Sequence, residues 1–143
     1  MIVGKSQFMK ALLVPGLLLL AVFTVKAQDT AVAEQGAIIS WEKNSYDFGD
    51  IQQGEKVEYR FRFSNTGTEP LIITNITTQC GCTTPKGWPR DPILPGGKGE
   101  ITLAFNSAGK YGRQNKVATI VSNAVNVGGR QLILSGTVIQ KKP

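Results

Sequence analysis

Residues 55–64 alternate between apolar and polar side chains, and this alternation constrains the fold more than any other feature of the sequence. Val57, Tyr59, Phe61 and Phe63 are apolar or aromatic, whereas the residues between them are charged or polar. A period of two places all the apolar side chains on one face of a β-strand. The segment therefore predicts a strand of an antiparallel sheet, with one face on a core and the other in water.

Other short segments show strand signals, and turn-forming residues separate them. The segments are residues 38–41, 46–51, 71–82, 100–106, 116–122 and 130–140. Asn65-Thr66-Gly67 predicts a turn with Gly67 at a positive φ. Residues 83–99 contain four prolines and four glycines and predict a long irregular connection. About seven strands at this spacing predict an all-β, immunoglobulin-like antiparallel β-sandwich, and a small closed barrel is the alternative.

Residues 1–27 have the composition of a secretory signal peptide, with three lysines and no acid. Their apolar stretch, 11–25, has 15 residues and contains Pro15-Gly16. A membrane-spanning helix needs about 20 apolar residues, so a retained membrane anchor is the weaker alternative. We expect cleavage after Ala27, a flexible spacer over residues 28–36, a folded domain over residues 37–143, and no stable membrane span after cleavage.

The charge of the chain falls once the predicted leader is removed. The count of basic residues drops from 16 to 13 against 10 acids, and the net charge drops from +6 to +3. The remaining cations are scattered, and no aromatic residues interleave with a basic run. We therefore expect a solvated surface of mixed charge and no nucleic-acid partner.

The chain has no histidine, which removes several classes of active site. Ser-His-Asp and Cys-His nucleophile pairs are excluded, as are metal sites that contain histidine. The acid pairs, Asp47 with Asp50 and Glu55 with Glu58, fall at turns and on the outer side of a strand. The sequence therefore predicts a protein that is not an enzyme and has no cofactor.

Several motifs follow one another in a recognisable order. The first half of the domain contains Tyr46-Asp47-Phe48-Gly49-Asp50-Ile51, Phe61-Arg62-Phe63-Ser64-Asn65-Thr66-Gly67 and Pro70-Leu71-Ile72-Ile73. The second half contains Cys80-Gly81-Cys82-Thr83-Thr84-Pro85, Ile93-Leu94-Pro95-Gly96 and Leu134-Ser135-Gly136-Thr137-Val138. Over residues 40–139 this order resembles the secreted bacterial family called domain of unknown function 1573. The resemblance implies an immunoglobulin-like sandwich of the PapD and major-sperm-protein type, in a family with no assigned activity.

Cys80 and Cys82 are the one pair of residues with candidate chemistry. Two residues apart on an extended strand, their Cα atoms would lie about 6.5 Å apart, near the upper limit for a disulfide. Gly81 allows the chain to close that distance. A three-residue loop contributes only about 1.6 kcal/mol of stability by the loop-length relation. Three roles stay open: a structural pair, a redox-active dithiol, and a soft-metal pair that holds Cu(I) through two thiolates. A structural zinc site is disfavoured, because it needs four ligands.

The residues after this motif provide a candidate contact surface. Lys86 and Arg90 carry positive charge that would lower the pKa of a nearby thiol. Trp88 is a candidate contact with a partner, and the alternative is that it caps the core beneath the long connection.

These features together predict an exported, non-enzymatic binding or scaffold module of the bacterial cell envelope, in the periplasm or at the cell surface. It would act through loops or an exposed sheet edge on a protein or glycan partner. The alternative is a thiol-dependent redox or copper-handling protein that acts through Cys80-Gly81-Cys82.

Overall fold

The computed structural model describes residues 34–142. The predicted leader, 1–27, and residues 28–33 of the predicted spacer lie outside this range. Within it, no helix has the length and hydropathy needed to cross a bilayer. The strands are β1 (Ile39–Trp41), β2 (Ser45–Gln52), β3 (Lys56–Asn65), β4 (Ile73–Thr78), β5 (Thr83–Gly87), β6 (Lys98–Asn106), β7 (Gly112–Ser122) and β8 (Gln131–Ile139), with a short 3₁₀ turn at Val127–Gly129.

The strands form two four-stranded sheets that pack face to face. The first sheet has the order β1-β3-β6-β5, and the second has the order β2-β8-β7-β4. The predicted all-β sandwich is confirmed, with eight strands in place of about seven. Two separate sheets with free outer strands exclude the closed barrel.

The core lies between the inner faces of the two sheets. Its largest fully buried side chains include Phe61, Phe105, Leu103 and Leu134. Burying an apolar side chain of this size contributes about 1.5–3 kcal/mol each. Trp41 is half-buried, packs against this core and lies edge-on to Phe63, with 5.0 Å between the ring centroids. Its indole therefore extends the core.

The alternation predicted for β3 is confirmed, but burial is uneven along the strand. Phe61 and Phe63 are buried, whereas Val57 and Tyr59 at the other end are only half-buried. The inner face of the first sheet is thus closed at one end of β3 and partly open at the other.

Two predictions about the strands are wrong. Residues 83–99 are not wholly irregular, because β5 pairs with β6 despite Pro85. β2 and β8 run parallel, whereas alternation led us to expect antiparallel pairing. Alternation reports which face of a strand is buried and carries no information about the direction of its neighbour.

A buried asparagine fixes the short β1 to β3. The Asn65 carboxamide oxygen accepts hydrogen bonds from the N–H of Ile38 at 3.2 Å and of Gly67 at 3.0 Å. Its amide donates to the carbonyls of Glu69 at 2.8 Å and Ile93 at 2.9 Å. Gly67 does not have the positive φ that was predicted. A glycine is needed there because a Cβ atom would overlap the backbone of residues 36–38.

Candidate functional site

The two cysteines lie in a turn between β4 and β5 and are joined by a disulfide. The sequence placed them on a strand, but the turn brings their Cα atoms to 5.3 Å, well within disulfide range. The Thr78 hydroxyl donates to the carbonyls of Cys80 at 3.2 Å and Thr83 at 3.0 Å. The Thr83 N–H also donates to the Cys80 carbonyl, at 3.3 Å. The turn is therefore held by hydrogen bonds as well as by the bridge.

Two clefts border the disulfide. The larger, of about 180 Å³, lies beside Cys82 and includes Lys56, Glu58 and Lys86 in its lining. The Lys86 ammonium lies 3.9 Å from the Glu58 carboxylate, with both side chains more than half exposed. The smaller, of about 50 Å³, lies beside Cys80. Lys86 is thus near the bridge, as the sequence suggested, but it already has an acidic neighbour.

Trp88 and Arg90 form a unit of their own after β5. Trp88 is half-buried and packs against the core, and the Arg90 guanidinium lies 3.8 Å from the ring centroid. This is a cation–π contact. Lys86 and Trp88 line a shared cleft of about 340 Å³. Arg90 therefore covers the indole face that a partner would otherwise contact.

Within residues 34–142, the metal ligands suggested by the sequence are the two cysteines of the bridge. No group of three or more Cys, Asp or Glu side chains there is arranged to hold an ion. Both sulfurs are engaged in the bridge, so a Cu(I) site would first require its reduction to two thiolates.

A second feature, which sequence reasoning did not locate, lies at the opposite margin of the same sheet. β1 has three residues and β3 has ten, and β1 pairs with β3 only from Phe63 to Asn65. Within the described residues, no strand covers the outer edge of β3 over residues 56–62. We call this stretch the open margin.

Backbone groups of the open margin point outward into a groove. The Glu42 N–H donates to the Arg62 carbonyl at 3.0 Å, which shows that the polar groups of Arg62 face away from β6. Successive residues of a strand direct these groups to opposite sides. Glu58 and Arg60 therefore each direct one N–H and one C=O into the groove. Its volume is about 570 Å³, and its lining is Glu42, Lys43, Glu58, Tyr59, Arg60, Phe61 and Arg62.

Aromatic rings lie on the inner side of this groove. Tyr46 of β2 stacks on Tyr59 of β3 with 3.9 Å between centroids and 10° between planes. Tyr59 also meets Phe61 edge-on at 4.8 Å. Tyr46 and Tyr59 are both half-buried and pack against the core. The two rings are therefore partly exposed to solvent near the open margin.

Charged side chains lie on its outer side. Arg60 pairs with Glu100 at 3.4 Å, and Glu58 pairs with Lys86 at 3.9 Å, both in exposed positions. Exposed pairs of this kind contribute about 0–1 kcal/mol, so they leave the side chains free to rearrange around a ligand.

Comparison with known proteins identifies the family. The model of the family described as "Protein of unknown function (DUF1573)" matches residues 39–138. The chain belongs to the DUF1573 family. The resemblance seen in the sequence is thereby confirmed. No curated protein matches this DUF1573 chain.

Solved structures similar to the DUF1573 domain share its fold. A protein of unknown function from Porphyromonas gingivalis W83 matches with a TM-score of 0.61 and 20% identity, over 78% of this chain and 51% of that one. The PapD-like domain 7 of human CEP192 matches with a TM-score of 0.57 and 12% identity, over 75% of this chain and 89% of that one. The secreted serine protease VesC from Vibrio cholerae matches with a TM-score of 0.59 and 13% identity, over 74% of this chain and 24% of that one.

These likenesses bear on the fold alone. The chain spans about half the length of the Porphyromonas gingivalis protein. The PapD-like neighbour agrees with the immunoglobulin-like sandwich expected from the sequence.

Proposed function

We propose that this DUF1573 domain is an exported, non-enzymatic binding or scaffold module of the bacterial cell envelope. The observation that carries the proposal is the open margin, where Glu58 and Arg60 direct backbone donors and acceptors into a groove of about 570 Å³. Unpaired strand edges are the surfaces through which sheets recognise other chains. The PapD-like fold and the predicted leader over residues 1–27 support the proposal.

Site-specific photocrosslinking in cells tests this function. A crosslinking side chain replaces Arg60, which borders the open margin, and the matched control replaces Thr77, an exposed residue of β4 in the other sheet. We expect position 60 to capture the same envelope protein in repeated preparations, and position 77 to capture none. Fractionation of the cells should find the processed chain outside the cytoplasm. A cytoplasmic chain, or equal capture at both positions, would contradict the proposal.

The second candidate is a thiol-dependent function at the disulfide turn. The supporting observation is that Cys82 borders a cleft of about 180 Å³ that Lys56 and Lys86 also line. A redox titration distinguishes the two functions, because structural disulfides have potentials below about −300 mV. A higher potential would favour redox exchange. Cu(I) binding by the reduced protein that is lost in Cys80→Ser would favour copper handling.

A further inference from the structure

Among residues 34–142, the sandwich has four outer strands, and three of them carry features that block pairing with another chain. β5 has Pro85, which offers no N–H. β2 has an irregularity between Asp47 and Asp50, and β4 has one between Ile73 and Asn75. Bulges and prolines protect sheet edges from adding strands. In the described part of the chain, the open margin of β3 lies in a regular ladder with β6 and shows neither feature.

The groove follows the outer edge of β3, where one additional strand of the sheet would lie. β1 enters it antiparallel to β3, and the chain leaves after Trp41 towards β2. An added segment would continue the line of β1 beyond Glu42, opposite residues 61 to 56. Glu58 and Arg60 are two positions apart, so their outward N–H and C=O groups repeat at about 6.6 Å along β3. The N–H and C=O groups of a paired strand repeat at the same spacing. Main-chain hydrogen bonds would thus hold the segment.

The side chains around the groove indicate which residue types the bound segment would have on its two faces. Its inward residues would meet Tyr59, which lines the groove and stacks on Tyr46 of the other sheet, and these rings favour apolar side chains. The charged residues of the groove lining are three cations, Lys43, Arg60 and Arg62, and two acids, Glu42 and Glu58. Lys43 and Arg62 have no acidic partner within 4.0 Å among residues 34–142. Lys56 and Arg60 of the open margin are basic and Glu58 between them is acidic, so acidic side chains are favoured overall on the outer side of the segment.

A second copy of this chain fits the groove less well. When two open margins are paired antiparallel about Tyr59, Glu58 lies opposite Arg60, but Lys56 lies opposite Arg62 and both margins carry a net positive charge. Pairing about Glu58 or about Arg60 sets that residue opposite itself. Like charges directly opposite each other destabilise a strand pair. An acidic segment of a different protein therefore complements the net positive charge of the open margin better than a second copy does.

We propose that the open margin binds an extended segment of another protein by strand addition, with apolar side chains directed at Tyr46 and Tyr59 and acidic side chains directed outward. This inference rests on the proposed function and names the class of partner. The affinity comes from main-chain pairing with Glu58 and Arg60, and the selectivity comes from the alternation of the segment.

A titration with defined peptides tests strand addition on the processed protein. The probe is a capped peptide of about seven residues, the span of the open margin, that alternates valine and glutamate. The first control carries N-methyl groups on the amides that would pair, and the second replaces glutamate by lysine. We expect saturable binding of the probe, no binding of the methylated peptide, and at least about tenfold weaker binding of the lysine peptide. Equal binding of the methylated peptide would overturn the proposal.

Variants of Glu58 locate the site. Glu58→Pro removes the outward N–H and leaves the hydrogen bonds between β3 and β6, which the alternate residues make. Glu58→Ala is the matched control, because it removes the same charge and retains the N–H. We expect about tenfold weaker binding in Glu58→Pro than in Glu58→Ala, with circular dichroism showing both folded. Equal affinities, or a dimer that Glu58→Pro dissociates in sedimentation, would overturn the proposal.

The failures of the two proposals are distinguishable. If the methylated peptide binds equally while photocrosslinking still captures one envelope protein, strand addition is wrong and the binding module stands. If the probe binds as expected while the chain is found in the cytoplasm, the proposed function is wrong and the strand-binding groove stands.

Discussion

The two margins of the first sheet contrast in how their backbone groups are satisfied. At the β5 margin, the Thr83 carbonyl accepts from Thr78, the Thr83 N–H donates to Cys80, and Pro85 has no N–H to offer. At the β3 margin, Glu58 and Arg60 have no such local partners in the described part of the chain. One margin of the sheet is closed by its own sequence, and the other is left available.

The residues that stand out in the sequence and the backbone groups that are free to bind another chain lie at different margins of the first sheet. The cysteines, Pro85, Trp88 and Arg90 attract attention in the sequence, and all lie at or beside the closed margin. The open margin arises because β1 is seven residues shorter than β3, a difference of lengths without a residue signature. A sequence motif can thus lie at the margin whose backbone groups already have partners, whereas the proposed recognition surface lies at the opposite margin.

The largest expected effect comes from releasing β1, which would extend the open margin along all of β3. Asn65→Ala removes the four hydrogen bonds that hold residues 38, 67, 69 and 93. Each buried group left unpaired costs about 1–3 kcal/mol, so we expect the free energy of unfolding to fall by at least about 3 kcal/mol in urea denaturation. Asn115→Ala, at an exposed position of β7, should change it by less than about 0.5 kcal/mol. Equal losses would show that Asn65 does not anchor β1.

A smaller effect is expected from removing the bridge at the closed margin. Replacing Cys80 and Cys82 by serine opens a three-residue loop, which should lower the free energy of unfolding by about 1.6 kcal/mol or less. Affinity for the valine–glutamate probe should stay unchanged, because β6 lies between the bridge and the outward backbone groups of Glu58 and Arg60. Loss of probe binding would place the recognition surface at the closed margin.

The smallest effect is expected from Pro85→Thr, which restores an N–H at the closed margin. Stability should change by less than about 0.5 kcal/mol, because the substitution is at a partly exposed edge position. Calorimetric titration should still give one peptide per chain, since the Thr83 groups remain satisfied by Thr78 and Cys80. A second bound peptide would show that Pro85 alone closes this margin.

The sequence allowed the two packed sheets to be predicted, but not which strands lie at their edges or where those strands end. Phe61 and Phe63 alternate with charged residues, and this pattern correctly placed β3 across a core. β5 was missed because Pro85 and Gly87 disfavour strands unless a neighbour such as β6 supplies the pairing. The open margin could not be foreseen, since it depends on where β1 stops pairing with β3.

Amide hydrogen exchange at the open margin tests the central claim most directly. In the free protein, the amides of Glu58 and Arg60 should exchange rapidly, while those of Tyr59 and Phe61, which face β6, should be protected. Saturating probe peptide should slow Glu58 and Arg60 by at least about tenfold and leave the exchange of β5 unchanged. Glu58 and Arg60 amides that are already protected without peptide, or that stay fast with it, would contradict the account.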